Sequence, residues 1–185
     1  MDRCSWCGSS KLMIDYHDKE WGIPLHNDKR LFEFLILEGA QAGLSWQTIL
    51  NRRENYRKAF DNFDPNKISR YTQKDISRLL KDSGIIRNRL KIAAAVTNAQ
   101  KFLEIRKEFG SFDRYIWKFV NHKTIKNRFK SLKQIPASTK ESDLMSKELK
   151  KLGLRFVGPT ICYAFMQAVG MVNDHLKGCF RYNEV

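Results

Sequence analysis

Residues 149–175 read LKKLGLRFVGPTICYAFMQAVGMVNDH. Gly153 is placed to stop one helix, and Gly158-Pro159-Thr160 to start the next only a few residues later, with proline at the first helical position where its missing N–H costs nothing. Beyond the turn, Ile161, Cys162, Phe165, Met166 and Val169 recur at helical spacing and give the second helix one apolar face. The stretch predicts a helix-hairpin-helix over about 149–170. Such a turn aims backbone N–H groups along a helix N-terminus, where the free donors and the helix dipole favour a phosphate oxygen. Gly153, Arg155, Gly158 and Thr160 are the residues expected to meet a nucleic-acid backbone. Glycine between two helices also serves any helical hairpin, so the pattern alone leaves a plain structural turn open.

Outward from the hairpin the same period holds, and alternating β-branched runs are absent, so the chain reads as all-α. Asp28 precedes a helix carrying Leu31, Phe34, Leu35 and Glu38, and Asp64-Pro65 opens another. Thr72 with Asp75 forms a capping box whose helix is expected to stop at Gly84. A longer amphipathic segment spans 87–108 with Ile92, Val96, Ala99 and Leu103 on one stripe, ended by Phe109-Gly110. Ser111 begins a short aromatic helix, residues 122–134 read as a basic surface loop, and Ser138 with Glu141 is expected to cap the helix running to Lys151.

The 185 residues, 42% hydrophobic, match one globular domain spanning 1–185. Thirty-four Lys and Arg against 20 Asp and Glu leave a formal charge of +14, which points to a polyanionic partner. No apolar run reaches the roughly 20 residues of a membrane span, and the start MDRCSWCGSS carries no signal-peptide pattern, so a cytoplasmic protein is expected. In that reducing compartment Cys4, Cys7, Cys162 and Cys179 read as metal ligands or core residues and not as disulfides. Cys162 falls on the apolar face, whereas His26 and His122 are expected in solvent.

The N-terminal third holds Tyr16-His17-Asp18, then Glu20-Trp21-Gly22, then Glu38-Gly-Ala-Gln-Ala-Gly-Leu-Ser-Trp46. A cavity lined by Tyr16, Trp21 and Trp46 would offer aromatic faces to a base taken out of its stack, and an alkylated purine is cationic, so electron-rich rings and one carboxylate favour it. Glu38 is that carboxylate. Each aromatic residue would equally serve as core, Glu38 as a solvated helix face, and Leu44 as a core leucine. The motifs, with FVGPTICYAFMQA, VNDH and Gly178-Cys179, closely resemble the DNA-3-methyladenine glycosylase I family over nearly the whole chain.

That resemblance implies a monofunctional glycosylase that excises 3-methyladenine from alkylated double-stranded DNA, releases the free base and acts as a monomer. It implies that Glu38 hydrogen-bonds the base; Gly43 gives close backbone approach, and Leu44 has the character of a wedge filling the gap left by the flipped nucleotide. Met13 stands where the family has tyrosine, which removes one hydroxyl from the expected pocket. Asn173 stands where several helix-hairpin-helix glycosylases carry a catalytic aspartate, and Asp174 is one position out of register for that work. Lys150 and Lys151 lie before the turn, away from the place of a Schiff-base nucleophile.

Cys4 and His17 lie near one end of the chain and His175 and Cys179 near the other. Two sulfurs and two imidazoles suit a closed, structural tetrahedral zinc site joining the termini, although the spacing fits no standard finger and also admits unrelated core residues. The resemblance favours zinc, since the family holds it with four residues matching these positions. Cys7 forms a Cys-x-x-Cys with Cys4 that the family does not lead one to expect and is a competing ligand. The alternative from another class is a noncatalytic, zinc-stabilised nucleic-acid-binding module, which accounts for the charge and the hairpin but not for the aromatic and Glu38 motifs.

Overall fold

The computed structural model describes residues 2–185, and among these ten α-helices carry the fold. They are α1 (Lys11–Lys19), α2 (Asp28–Gln41), α3 (Trp46–Leu50), α4 (Arg53–Ala59), α5 (Pro65–Ile68), α6 (Gln73–Lys81), α7 (Arg89–Phe109), α8 (Phe112–Trp117), α9 (Lys140–Lys151) and α10 (Pro159–Ala168). Two two-residue strands, β1 (Ile125–Lys126) and β2 (Val172–Asn173), pair in parallel with Ile125 opposite Val172.

Helix α2 is the axis of the molecule. Its residues from Leu31 to Ala40 are all buried, and Phe32 meets Phe102 of α7 with ring centroids 4.9 Å apart. A helix apolar on nearly every side belongs inside a bundle, because burying each large side chain gains about 1.5–3 kcal/mol. Asn27, and not Asp28, caps it by accepting from the Arg30 N–H at 3.0 Å. Asp28 instead accepts from the backbone N–H groups of Phe112 and Asp113 at 3.1 and 2.8 Å, so an acidic side chain in the first turn of α2 also holds the start of α8.

The hairpin forms where its glycines require. Gly153 takes φ +92°, and the Leu154 N–H returns to the Leu149 carbonyl at 3.0 Å, which closes α9. Gly158 precedes α10 with extended backbone and Pro159 is the first helical residue. The connecting loop is held by three hydrogen bonds from two helices: Asn98 of α7 both donates to the Arg155 carbonyl (2.9 Å) and accepts from the Arg155 N–H (2.8 Å), and Ser146 Oγ of α9 donates to the Val157 carbonyl at 2.7 Å. Gly39 lets α2 close on this loop, since a Cβ there would come within 3.3 Å of Phe156 Cβ. The glycine thus brings the end of α2, with Glu38, beside the hairpin.

Several boundaries differ from the sequence reading. Helix α7 starts at Arg89 behind an Asn88 cap, and α6 ends at Lys81 because Asp82 turns back to accept from the Gly84 N–H at 2.8 Å. Thr139 and Ser142, not Ser138 and Glu141, make the capping box of α9. The 122–134 segment is more than a surface loop: it supplies β1, and its Phe129 carbonyl accepts from the Lys177 N–H at 2.9 Å. His26, although exposed, stacks on Trp117 (4.4 Å) and bonds Asp113 at 2.8 Å.

Candidate functional site

Where α1, α2, α3 and α10 converge, a cavity of about 180 Å³ is walled by Trp6, Tyr16, Trp21 and Trp46, with Glu38, Gln41 and Gln167 as its polar groups. Its size is below the roughly 300 Å³ of pockets for drug-sized ligands, so it admits a single small ring system. Tyr16 projects from α1, Trp46 opens α3 behind its Ser45 cap, and the two ring centroids are 5.2 Å apart. Trp6 and Trp21 meet edge to face at 4.8 Å. The indole N–H groups of Trp6 and Trp46 are buried with no partner among the described residues.

Glu38 is 3% exposed, and no described residue donates a hydrogen bond to its carboxyl. Burial alone pushes its pKa up to about 8. With burial as the only influence the group is mostly neutral at physiological pH, and a cation against it would restore the charge. Burial, then the nearby Glu38, hold the Tyr16 hydroxyl well above its ordinary value, so it keeps its proton.

A groove adjoins the cavity, sharing Glu38, Gln41 and Ala164, and runs past Gly43 and Leu44 to Thr160 at the start of α10. Leu44 is 39% exposed on the turn between α2 and α3, where Gly43 takes φ +77°. The structure therefore gathers Tyr16, Trp21, Glu38 and Trp46 in one cavity and sets Gly43, Leu44 and Thr160 at its mouth. Gly153, Arg155 and Gly158 lie in the hairpin turn, with the Arg155 side chain exposed. Met13 is buried in α1 and does not line the cavity.

Besides the small Ala164, three lining residues escaped the sequence reading for different reasons. Trp6 sits between two cysteines, Gln167 lies in a helix read only for its apolar face, and Ile135 follows a segment read as solvent loop. Gln41 was visible inside the Glu38 to Trp46 motif but drew no role.

Next to Trp21 the two ends of the chain meet. Cys4, His17, His175 and Cys179 are all buried, with their ligand atoms within 4.8 Å of one another. Cys4 Sγ lies 3.7 Å from His175 Nδ1, and Cys179 Sγ lies 3.4 Å from His17 Nε2 and 3.6 Å from His175 Nδ1. The other ring nitrogens are engaged: His17 Nδ1 with Asp18 at 2.7 Å and His175 Nε2 with the Trp21 carbonyl at 3.0 Å. This is a donor set able to hold a metal ion. Cys7, though buried, stands outside the cluster, its thiol directed to the Gly8 carbonyl. Asn173 is spent on structure: its amide donates to the carbonyls of Tyr182 (3.1 Å) and Val185 (2.8 Å).

The chain is similar along nearly its whole length to known proteins. The chain is 50% identical over 182 residues to the DNA-3-methyladenine glycosylase 1 of Escherichia coli K12, covering 98% of this chain and 97% of that one. A crystal structure of a 3-methyladenine DNA glycosylase I superposes with a TM-score of 0.95 at 49% identity, covering 97% of this chain and 98% of the other. The Staphylococcus aureus 3-methyladenine DNA glycosylase I, solved for the structural basis of 3-methyladenine recognition, gives a TM-score of 0.94 at 37% identity over 97% of this chain and 96% of its own. The methyladenine glycosylase family model matches residues 6–182, and the chain belongs to that family.

Proposed function

We propose that the protein is a monofunctional DNA glycosylase that flips 3-methyladenine out of alkylated double-stranded DNA and hydrolyses its glycosidic bond, the first step of base excision repair. The observation that carries this reading is the buried, hydrogen-bond-free Glu38 carboxyl in an aromatic cavity sized for one base.

Hairpin residues Gly153, Arg155, Gly158 and Thr160 hold the DNA backbone, and Leu44 enters the stack where the base has left. The extruded base lies against the rings of Tyr16, Trp21 and Trp46, which attract its positive charge. That charge draws Glu38 into its ionised form, and the carboxylate then accepts a hydrogen bond from the base. The bond between C1′ and the base nitrogen breaks with its electron pair going to the base, which leaves neutral as free 3-methyladenine. Water adds to the oxocarbenium-like sugar and gives up a proton. Because the leaving group is already cationic, no general acid is required, and Lys150 and Lys151 lie before the turn of the hairpin, away from the place of a Schiff-base nucleophile that would cleave the strand. Met13, buried in α1, leaves the base without the hydroxyl that a tyrosine at this position would bring.

The Cys4, His17, His175 and Cys179 cluster fits structural zinc. Tetrahedral ligands at ~2.0–2.3 Å from zinc lie ~3.3–3.8 Å apart, which three sulfur–nitrogen spacings of the cluster, at 3.4, 3.6 and 3.7 Å, match, all four ligand atoms lying within 4.8 Å of one another. Burial lowers His175 to about 4 and His17 below its usual value, so both imidazoles are neutral, as metal ligation requires. The carboxylate on His17 and the carbonyl on His175 orient the rings. A four-ligand site would leave no open position, so a bound ion would serve to fasten the two ends of the chain beside the cavity. No helix among the described residues is long and apolar enough to cross a membrane, and we assign the whole chain to one monomeric domain acting in the cytoplasm.

Base release from methylated duplex DNA, with the products separated by chromatography, tests the assignment in the purified protein and in Glu38→Ala. Prompt release of 3-methyladenine, reduced at least tenfold in the variant, is expected. Absence of release from metal-loaded protein that still binds DNA would overturn it in favour of a noncatalytic binding module.

A further inference from the structure

Gln167 lines the cavity from α10, and its side chain is not free to choose its orientation. Its Nε2 donates to Asp174 Oδ2 at 2.7 Å. The same carboxylate accepts from the Tyr163 hydroxyl at 2.6 Å and from Asn127 Nδ2, on its other oxygen, at 2.6 Å. Asp174 is 1% exposed. Burial and the adjacent carboxylate hold the Tyr163 phenol far above its ordinary value, so it remains a donor.

A carboxylate can only accept, so the amide group facing it has to be the NH2. The Gln167 oxygen is therefore turned away from Asp174, and no described residue donates to it. The backbone is fixed as well, since the Gln167 carbonyl receives the Gly22 N–H at 3.0 Å. A flipped amide would set two acceptor oxygens against each other in a buried place, at the cost of an unmade hydrogen bond.

We propose that Gln167, locked by Asp174, is a specificity residue of the base cavity: its Oε1 is a fixed acceptor that selects bases presenting an exocyclic amino group and rejects those with a carbonyl there. Gln167 touches the substrate and Asp174 is a positioning residue acting through it. The inference rests on the glycosylase reading and adds a second polar contact to that of Glu38. It gives the buried Asp174 a role even though it is one position out of register for direct action on the sugar. A cavity built around a hydrogen bond discriminates strongly, because the wrong ligand leaves a buried polar group unpaired.

The test compares binding of free 3-methyladenine and of 3-methylhypoxanthine, in which a carbonyl replaces the amino group, read by quenching of tryptophan fluorescence. Wild-type protein is expected to prefer 3-methyladenine by about tenfold or more. In Asp174→Asn, whose amide can face either end of Gln167, and in Gln167→Met, the ratio is expected to fall at least severalfold. A merely structural Asp174 would weaken both ligands together and keep the ratio. Unchanged ratios in Gln167→Met, a substitution at a partly exposed position, overturn the proposal even if Asp174→Asn does not fold. Release of 3-methyladenine from methylated DNA by the wild type is measured alongside. If that fails, the glycosylase reading falls; if it succeeds while the ratios hold, only this inference does.

Discussion

Glu38 is the residue where recognition and stability pull against each other. Burial raises its pKa from 4.5 to about 8, so the folded state takes up a proton that the unfolded chain has released between those values. A group raised in this way contributes stability below its unfolded pKa and loses it as pH rises through the folded one. Above about pH 8 the protein holds a buried charge with no described partner, at an expense of up to a few kcal/mol. Glu38→Gln keeps the shape and cannot ionise. Its melting temperature is expected to match the wild type near pH 5 and to exceed it increasingly toward pH 9, by about 2–4 °C for each kcal/mol in a chain of this size. Thermal melts across that range check it; a pH-independent difference would mean that Glu38 is not buried as an isolated carboxyl. The same linkage makes the cavity ready for a cation, since binding one removes the cost.

At the scale of elements, the hairpin reaches its working shape through α7. Asn98, 3% exposed, makes both of its hydrogen bonds to the backbone of Arg155, so a helix with no residue in the cavity sets the turn that faces DNA. Asn98→Ala removes both and leaves a carbonyl and an N–H unpaired, a loss of about 1–3 kcal/mol. We expect weaker binding to an abasic duplex with unaltered affinity for free 3-methyladenine, measured by titration of each. Equal losses for both ligands would show that Asn98 supports the whole bundle and not the turn in particular. The hairpin itself was legible because Gly153, Gly158 and Pro159 are conformational requirements written into the sequence. Its support was not, since Asn98 sits in an amphipathic helix at a position whose partner lies 57 residues away. For the same reason Glu38, Tyr16 and Trp46 could be named from their motif, whereas Gln167 and Ile135 enter the cavity only through tertiary packing. The caps that moved, from Asp28 to Asn27 and from Ser138 to Thr139, are cases where neighbouring residues have similar local propensity; Asp28 is drawn off by the distant start of α8, whereas Thr139 is chosen by its local exchange of hydrogen bonds with Ser142.

For the whole molecule, the charge of +14 and the small cavity divide the work of binding. Lys147, Lys150, Lys151 and Arg155 are all exposed on α9 and the turn that follows it, so part of the excess positive charge lies on the hairpin. Each phosphate neutralised there releases condensed counterions, and the logarithm of affinity falls with the logarithm of salt at a slope of about 0.9 per phosphate. If on the order of five phosphates are engaged, affinity for duplex DNA falls about 500-fold between 50 and 200 mM salt. A free base carries no phosphate and meets rings and two polar side chains, so its affinity should change by less than about twofold over the same range. Parallel titrations with an abasic duplex and with free 3-methyladenine read both slopes. A flat response for DNA would mean that the basic surface is not its docking face. A steep response for the free base would mean that surface charge, and not the aromatic cavity, provides its attraction. With the slopes separated as expected, nonspecific capture by charge brings the hairpin and Leu44 to the duplex, and choice of lesion is left to a cavity that salt does not reach.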